Sequence, residues 1–529
     1  MIESKPINES RLGWIAPAVV VVLFAQIVGF EHLNWVDPLT IFQNPFLRPV
    51  SIHSFIEAWT SPHLNLWIPL THSLWAILAW IGRDGTEISP LAFRVTSLAL
   101  HMASAWIVFD LLFKLTRSDH AALCGALLFA VHPIQVESVA WISGQKDLLA
   151  GFFMLASTRA FVNWRENPSP GRFIITLSLF LFSMLSQPVA VTTPLIWFAI
   201  ALTDRIDWRT LLIVSAGLFM ALPFVVIACI AQPASLIQDV SPIDRLVVAG
   251  DALAFDFRHL VAPWPLVIDY ARTPQVVLSS SKSAIWWVVP AALICLGFLL
   301  KKSLPQLLAG VLVVIACVLP VLGFLPFEFQ MYSTVCDHYL YVALLGPALI
   351  ISAIVAKHRA TFGMFIALWM IAMVVSVRQV EVWRDDQKLF KHNLNHYKQS
   401  LAANRTLAYL AAEQGNVAWA ERYFHDTFKT RPDDDLSAYN FANFLARQMR
   451  REEALEQYNR AIQVRSDHPA YRYNRALLLM QLNRPHEAMI DVQRVLAIDP
   501  NYPDAVRLRD LLEVMIDPTD PLDPTKYLP

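Results

Sequence analysis

Charge is scarce in this chain. Of its 529 residues only 16% are Lys, Arg, Asp or Glu, whereas 56% are hydrophobic. A water-soluble domain of this length carries about a quarter charged residues, so the composition excludes a wholly soluble globule and leaves apolar surface for lipid to cover. The two signs also nearly cancel, 42 basic against 43 acidic for a formal net charge of −1, which leaves no basic field to draw nucleic acid. Cysteine is sparse as well. Cys124, Cys229, Cys295, Cys317 and Cys336 lie far apart, mostly inside apolar runs and without CxxC spacing, so neither a disulfide framework nor a zinc motif is readable. A small-x-small cleavage pattern is missing after the first apolar run, residues 13–30, which therefore reads as a retained signal anchor. Lys5 and Arg11 before it predict a cytoplasmic N-terminus.

What the chain has in quantity is apolar runs. After the first come 91–113, 120–133, 146–163, 172–187, 188–203, 210–231, 284–300, 305–323, 338–356 and 360–377, giving eleven candidate spans. With the N-terminus inside, the pairs Lys114 and Arg117, Arg165 and Arg172, Arg205 and Arg209, Lys301 and Lys302, and Lys357 and Arg359 all fall on the cytoplasmic side. That agreement requires two segments, 31–90 and 232–283, to be extracytoplasmic loops. Both are aromatic, proline-containing and too polar to span.

Beyond residue 380 the composition changes to charged and alanine-punctuated. Ala408, Ala442 and Ala476 align, as do Ala420, Ala454 and Ala488, then Phe424, Tyr458 and Val492, then Pro432, Ser466 and Pro500, each step being 34 residues. Small residues at that period mark tetratricopeptide repeats, paired helices that stack into a solenoid with a concave binding face. The expected fold is thus all-α: a polytopic membrane helix bundle over 1–380, a linker helix over 381–399, about three repeats over 400–516 and an extended proline-rich tail over 517–529. An odd number of spans puts the repeats outside the cytoplasm.

The stretch 131–149, VHPIQVESVAWISGQKDLL, places His132, Glu137, Lys146 and Asp147 between two apolar runs. Ionisable groups beside hydrocarbon are costly, and they mark function more often than accident. Under the predicted topology Asp37, Gln187, Arg258, Asp269, Asp337 and His338 reach the same outer face. Arg94 and His101, seven residues apart on one helix face, point into the bundle. Bland readings stand beside these. Lys146 and Asp147 can be an ion pair capping the next span, His132 before Pro133 a helix-end residue, and His338 an interfacial anchor.

The motifs LNWVDPL with QNPFLR, WIPLTHSLW, LALHMASA, HPIQVESVAWISGQKDLL, LSQPVAVTTPL, APWPLVIDY, CDHYLYVALLG and VEVWRDDQKLF, followed by the repeats, resemble one family. It is that of the transmembrane-and-tetratricopeptide-repeat proteins related to protein O-mannosyltransferases, which are similar to the C-type (GT-C) glycosyltransferases that take sugar from polyprenyl phosphates. The resemblance implies a GT-C-like domain, a polyprenyl-phosphate sugar as donor, a protein acceptor or partner at the repeats, and no bound cofactor. It also implies a bacterial inner membrane, with the repeats periplasmic.

In that family the first outer loop carries two adjacent acids. Here Val36 precedes Asp37, so Asp37 is the implied catalytic base, with Glu137 as a second base or as its support. A carboxylate within reach of an acceptor hydroxyl takes its proton during an inverting attack, and phosphate leaves without a covalent intermediate. Arg94, His132, Lys146, Asp147, Arg258 and His338 are the implied donor phosphate or sugar contacts. Gln187 and His338 stand where the family has lysine and arginine. No metal is assigned, although some relatives of the fold hold a divalent ion on their acids. Two other classes fit less of the sequence. One is a catalytically inactive scaffold for envelope assembly, which Val36, Gln187 and His338 favour. The other is a transporter, which would need polar residues at the midplane and an internal repeat of the spans.

Overall fold

A computed structural model describes residues 11–84, 87–232, 240–280 and 283–516. The cytoplasmic leader 1–10 and the extended tail 517–529 read from the sequence lie outside the described residues. The chain divides into two compact units, Met1–Tyr397 and Lys398–Pro529.

In the first unit each of the eleven apolar runs carries helix. Starts are set by ordinary local chemistry: proline occupies the first turn at Pro69, Pro170, Pro242 and Pro305, where its missing N–H costs nothing. Side chains of Ser118, Ser169, Asp207, Ser241 and Asp385 cap others by accepting a backbone N–H. Four helical segments, Leu12–Gly29, Leu91–Thr116, Trp208–Ala231 and Arg359–Val382, are long and apolar enough to cross a membrane. The remaining apolar helices among the described residues run 10–17 residues, short of the roughly 20 that a straight span wants.

Four features refine or depart from the sequence reading, which expected short helices in loop 31–90 and a surface element in loop 232–283. Loop 31–90 contains the helices Ile52–Thr60 and Pro69–Ile81 and a two-stranded antiparallel ladder pairing Arg83 with Ile88, so the unit is not strictly all-α. The run 338–356 does not begin as a span: Asp337–Leu340 is a 3-10 turn, and the helix proper is Leu345–Lys357. Within loop 232–283 a 20-residue helix, Pro242–Val261, carries Asp244, Arg245, Asp251, Asp256 and Arg258, which suits it to a polar boundary and not to lipid. Finally, the linker helix over 381–399 is no linker. Asp386–His396 belongs to the first unit, where Asn393 exchanges two hydrogen bonds with the Asp269 backbone and Asp386 accepts two from Asn34.

Helix pairs in this unit approach through glycine. A methyl group on Gly310 would lie 2.7 Å from the Gly346 carbonyl oxygen, and one on Gly346 would strike the Gly310 carbonyl. Helices Pro305–Val318 and Leu345–Lys357 therefore cross backbone to backbone, the close approach that small residues permit where hydrophobic force between helices is weak. Gly346→Ala should lower the midpoint of thermal unfolding in detergent, at a cost of about 1–3 kcal/mol. Gly171→Ala, which meets nothing within 4 Å, should leave the midpoint unchanged.

The second unit is seven described helices. First members of the hairpins start at Leu401, Asp435 and Pro469, with a last helix from Pro503, and second members start at Val417, Arg451 and Pro485. Every step is 34 residues, for example 435 − 401, so backbone period and alanine period coincide. Ala408, Ala442, Ala476, Ala420, Ala454 and Ala488 are all fully buried, because the paired helices touch where only a methyl group fits.

Candidate functional site

Every residue from 131 to 145 is buried. The helix Asp119–Val131 stops because His132 precedes a proline and must be extended, with φ −62° and ψ 132°. A short helix, Gln135–Ala140, and a 3-10 turn, Ile142–Gly144, then lead into the helix Gln145–Glu166. Gly144 closes the turn against Ser138, whose carbonyl oxygen would lie 2.8 Å from an added Cβ. Folded back in this way, the stretch presents polar side chains to both flanks.

On one flank lies Asp37. Its Oδ1 accepts from the Ser143 N–H at 3.1 Å and the Ser143 hydroxyl at 2.5 Å, and its Oδ2 accepts from the Leu33 N–H at 3.1 Å. The carboxylate is fully buried. Three of its roughly four lone-pair positions are thereby used, and one remains. Arg94, also buried, donates to the carbonyls of Ala140 and Glu31 and so ties the first loop to the central stretch; its Nε has no partner, and its charge acts on Asp37. His101, on the same helix face, packs inward and meets the Tyr341 hydroxyl at 3.1 Å.

On the other flank lies Glu137. Its Oε1 is 2.8 Å from His338 Nδ1 and 3.2 Å from Cys336 Sγ, and those two atoms are 3.0 Å apart. Its Oε2 is buried without a partner. Among the described residues this trio is the group of Cys, His and acidic side chains close enough to share one metal ion. Next to it the Tyr270 hydroxyl donates to Asp337 at 2.7 Å. Burial, and then the Glu137 charge, push the Asp337 carboxyl well above the usual carboxylate range, and burial raises the Cys336 thiol in the same way.

Lys146 and Asp147 form an ion pair at 3.5 Å, with the lysine 4.5 Å over the Trp141 ring and donating to the Ser143 carbonyl. Asp147 in turn accepts from Gln187 at 3.2 Å, and the two line a small cavity of about 30 Å³ with His338 and Tyr339. The structure thus gathers Asp37, Arg94, Glu137, Lys146, Asp147 and His338 around the one stretch. It does not gather Arg258, which is exposed on the helix Pro242–Val261 beside Phe255 and His259, the bond to His259 being 3.1 Å. His132 turns toward the same helix and meets the Leu260 carbonyl. Asp337 was placed on the outer face with His338, whereas Ser143 and Cys336 were not singled out as site residues by the sequence reading. Both lie in quoted motifs, HPIQVESVAWISGQKDLL and CDHYLYVALLG, but only the fold reveals their partners.

The tetratricopeptide repeat family profile matches residues 442–513. Curated relatives include the protein O-mannosyl-transferase Tmtc1 of Drosophila melanogaster, 30% identical over 109 residues, 21% of this chain and 13% of that protein. TMTC3 of Homo sapiens is 32% identical over 108 residues, 20% of this chain and 11% of that protein. Human TMTC4 is 33% identical over 123 residues, 20% of this chain and 17% of that protein. Over those stretches the chain is similar to TMTC proteins, and it carries tetratricopeptide repeats. Its matched stretches span less than a fifth of those three TMTC proteins. Among solved structures, the tetratricopeptide-repeat domain of P58(IPK) aligns at a TM-score of 0.25 and 13% identity, over 69% of this chain and 100% of that one. Beside this similarity stand the four helical segments that are long and apolar enough to cross a membrane.

Proposed function

We propose that this chain is an integral-membrane glycosyltransferase. It moves one sugar, mannose or a related hexose, from a polyprenyl-phosphate carrier to a hydroxyl of a protein acceptor that the repeats recruit. The observation that supports this reading most is the burial of an ionisable stretch against Asp37, Arg94 and His338 inside a unit of apolar helices, in a chain similar to named protein O-mannosyl-transferases. Asp37 takes the acceptor proton through its remaining lone-pair position, and the sugar inverts as phosphate departs. Lys146 and His338 line the cationic side, where a hydrogen-bond donor or charge stabilises the leaving phosphate. Arg94 holds the loop that carries Asp37. Eleven spans, an extracytoplasmic face for the site and a periplasmic repeat domain complete the reading.

A second reading is favoured by one observation. The cavity beside Asp147 and His338 holds about 30 Å³, far below the few hundred Å³ of an ordinary ligand pocket. In that reading the chain is an inactive membrane-anchored scaffold, and the site is a structural polar core.

Intact-protein mass of extracytoplasmic proteins from cells with and without the chain distinguishes the two. A hexose-sized increment that requires the chain supports transfer, whereas unchanged masses alongside an assembly defect support the scaffold. Deleting residues 398–516 should abolish the increment on the native acceptor by more than about 100-fold through loss of effective concentration, with donor hydrolysis by the remaining unit retained. An unchanged acceptor profile after that deletion would remove the repeats from recruitment.

A further inference from the structure

We propose that Glu137, Cys336 and His338 form a three-ligand site for a zinc-class divalent cation, independent of whether the chain transfers sugar. The three ligand atoms lie 2.8, 3.0 and 3.2 Å from one another, on side chains that are all buried. An ion held tetrahedrally at ordinary Zn–N, Zn–O and Zn–S bond lengths needs ligand edges of about 3.3–3.6 Å. Each edge therefore opens by about half an ångström or less, which side-chain torsions supply without moving the backbone.

A hydrogen-bonded trio is the competing account, and it leaves the site poorly satisfied. Both the thiol and the imidazole converge on the single oxygen Oε1 of Glu137, while Oε2 of the same carboxylate is buried with no partner. An unpaired buried carboxylate oxygen bears the full cost of its lost hydration. A cation placed among the three atoms relieves the crowding, and Oε2 can turn to it as a second donor atom.

The donor set decides the class of ion. The thiolate is soft and the imidazole borderline, so that even with one hard carboxylate the set suits zinc and its neighbours and disfavours magnesium or calcium. Three protein ligands leave a fourth position for water or an incoming oxygen. Trp141, Phe329 and Tyr339 pack around the His338 ring at centroid distances of 5.7, 6.1 and 4.4 Å and keep bulk water away. Binding breaks the Cys336 S–H bond, forms a metal–sulfur bond and releases one proton to solvent, with no change of oxidation state.

Metal content and cobalt spectra of the full chain in detergent test the site. The expected result is about one zinc per chain, and, after exchange for Co²⁺, a thiolate-to-cobalt charge-transfer band with one proton released per ion. Cys336→Ser should abolish the band, and His338→Gln or Glu137→Gln should weaken Co²⁺ binding by more than about 10–100-fold. Cys317→Ser, a buried cysteine outside the trio, should change nothing. His338→Cys, which supplies a second thiolate, should intensify the band. Full cobalt loading of the unmodified chain without a charge-transfer band overturns the proposal, and this readout needs no variant to fold. Affinity unchanged in Cys336→Ser and His338→Gln likewise overturns it. Neither measurement requires sugar transfer, so its failure and that of the enzyme reading are separable.

Discussion

Asp37→Asn is expected to lower sugar transfer by about 10²–10⁴-fold, the range a positioned general base contributes. The substitution is nearly isosteric, yet the site is not indifferent to it. Asparagine keeps one acceptor oxygen, which can hold the two Ser143 donors, but its amide then faces the Leu33 N–H that now donates to Oδ2. A buried donor set against a donor costs about 1–3 kcal/mol, so some loss of stability accompanies the loss of chemistry. Ser143→Ala separates the two effects. It removes the 2.5 Å hydroxyl contact and leaves the carboxylate, so it should share the stability loss while retaining most of the transfer. Rates with a polyprenyl-phosphate sugar donor, paired with thermal unfolding of each variant, check this. Transfer by Asp37→Asn within a few-fold of the parent chain would exclude Asp37 as the base and leave Glu137 as the carboxylate to examine.

The sequence reading succeeded where one physical rule acted over many residues. The 34-residue alanine period predicted where small residues touch, and helix starts at Leu401, Asp435, Pro469 and Pro503 fall on the same period. Long apolar runs likewise foretold helix, since a backbone in an apolar setting must satisfy itself internally. It failed where a few residues override the pattern. The run around CDHYLYVALLG is continuously apolar after His338, yet the chain makes a 3-10 turn over Asp337–Leu340 before the helix begins at Leu345. Composition cannot distinguish a buried turn from a buried helix.

For the site, Glu137 and His338 were legible as ionisable residues among hydrocarbon, but their meeting was not. They are 201 positions apart, and no local spacing encodes a contact at that range. Cys336 was weighed only for CxxC spacing, which a ligand completed by a distant glutamate does not show. The burial of Asp37 was equally hidden. Nothing in the sequence around a loop acid preceded by valine signals enclosure, whereas the Ser143 turn and the Arg94 clamp enclose it.

The largest stability effect is expected in the repeats, at Asp491. This aspartate lies on the helix Pro485–Ile498 with its side chain 1% exposed, and it binds Arg475 in a two-point fork, Nε at 2.7 Å and Nη2 at 2.6 Å. Arg472, three residues earlier on the preceding helix, adds a third contact at 3.2 Å. Truncation to alanine would leave two guanidinium groups close together with no anion between them. Breaking a buried pair from one side costs about 3–5 kcal/mol, and the partial exposure of the arginines, 16% and 20%, moves the expectation to the lower end. Urea unfolding of residues 398–516 measures it, read as the loss of the third hairpin, since a stack of repeats yields unit by unit. Asp426→Ala is the contrast. Its partner Lys429 is 76% exposed, so the pair contributes less than about 0.5 kcal/mol and unfolding should not shift. Adding Arg475→Ala and Arg472→Ala to Asp491→Ala should recover part of the loss, because the stranded charges go with them. If Asp491→Ala alone costs under about 1 kcal/mol, water reaches the fork. The burial of Val492, Val495 and Ala488 would then hold that hairpin without help from charge.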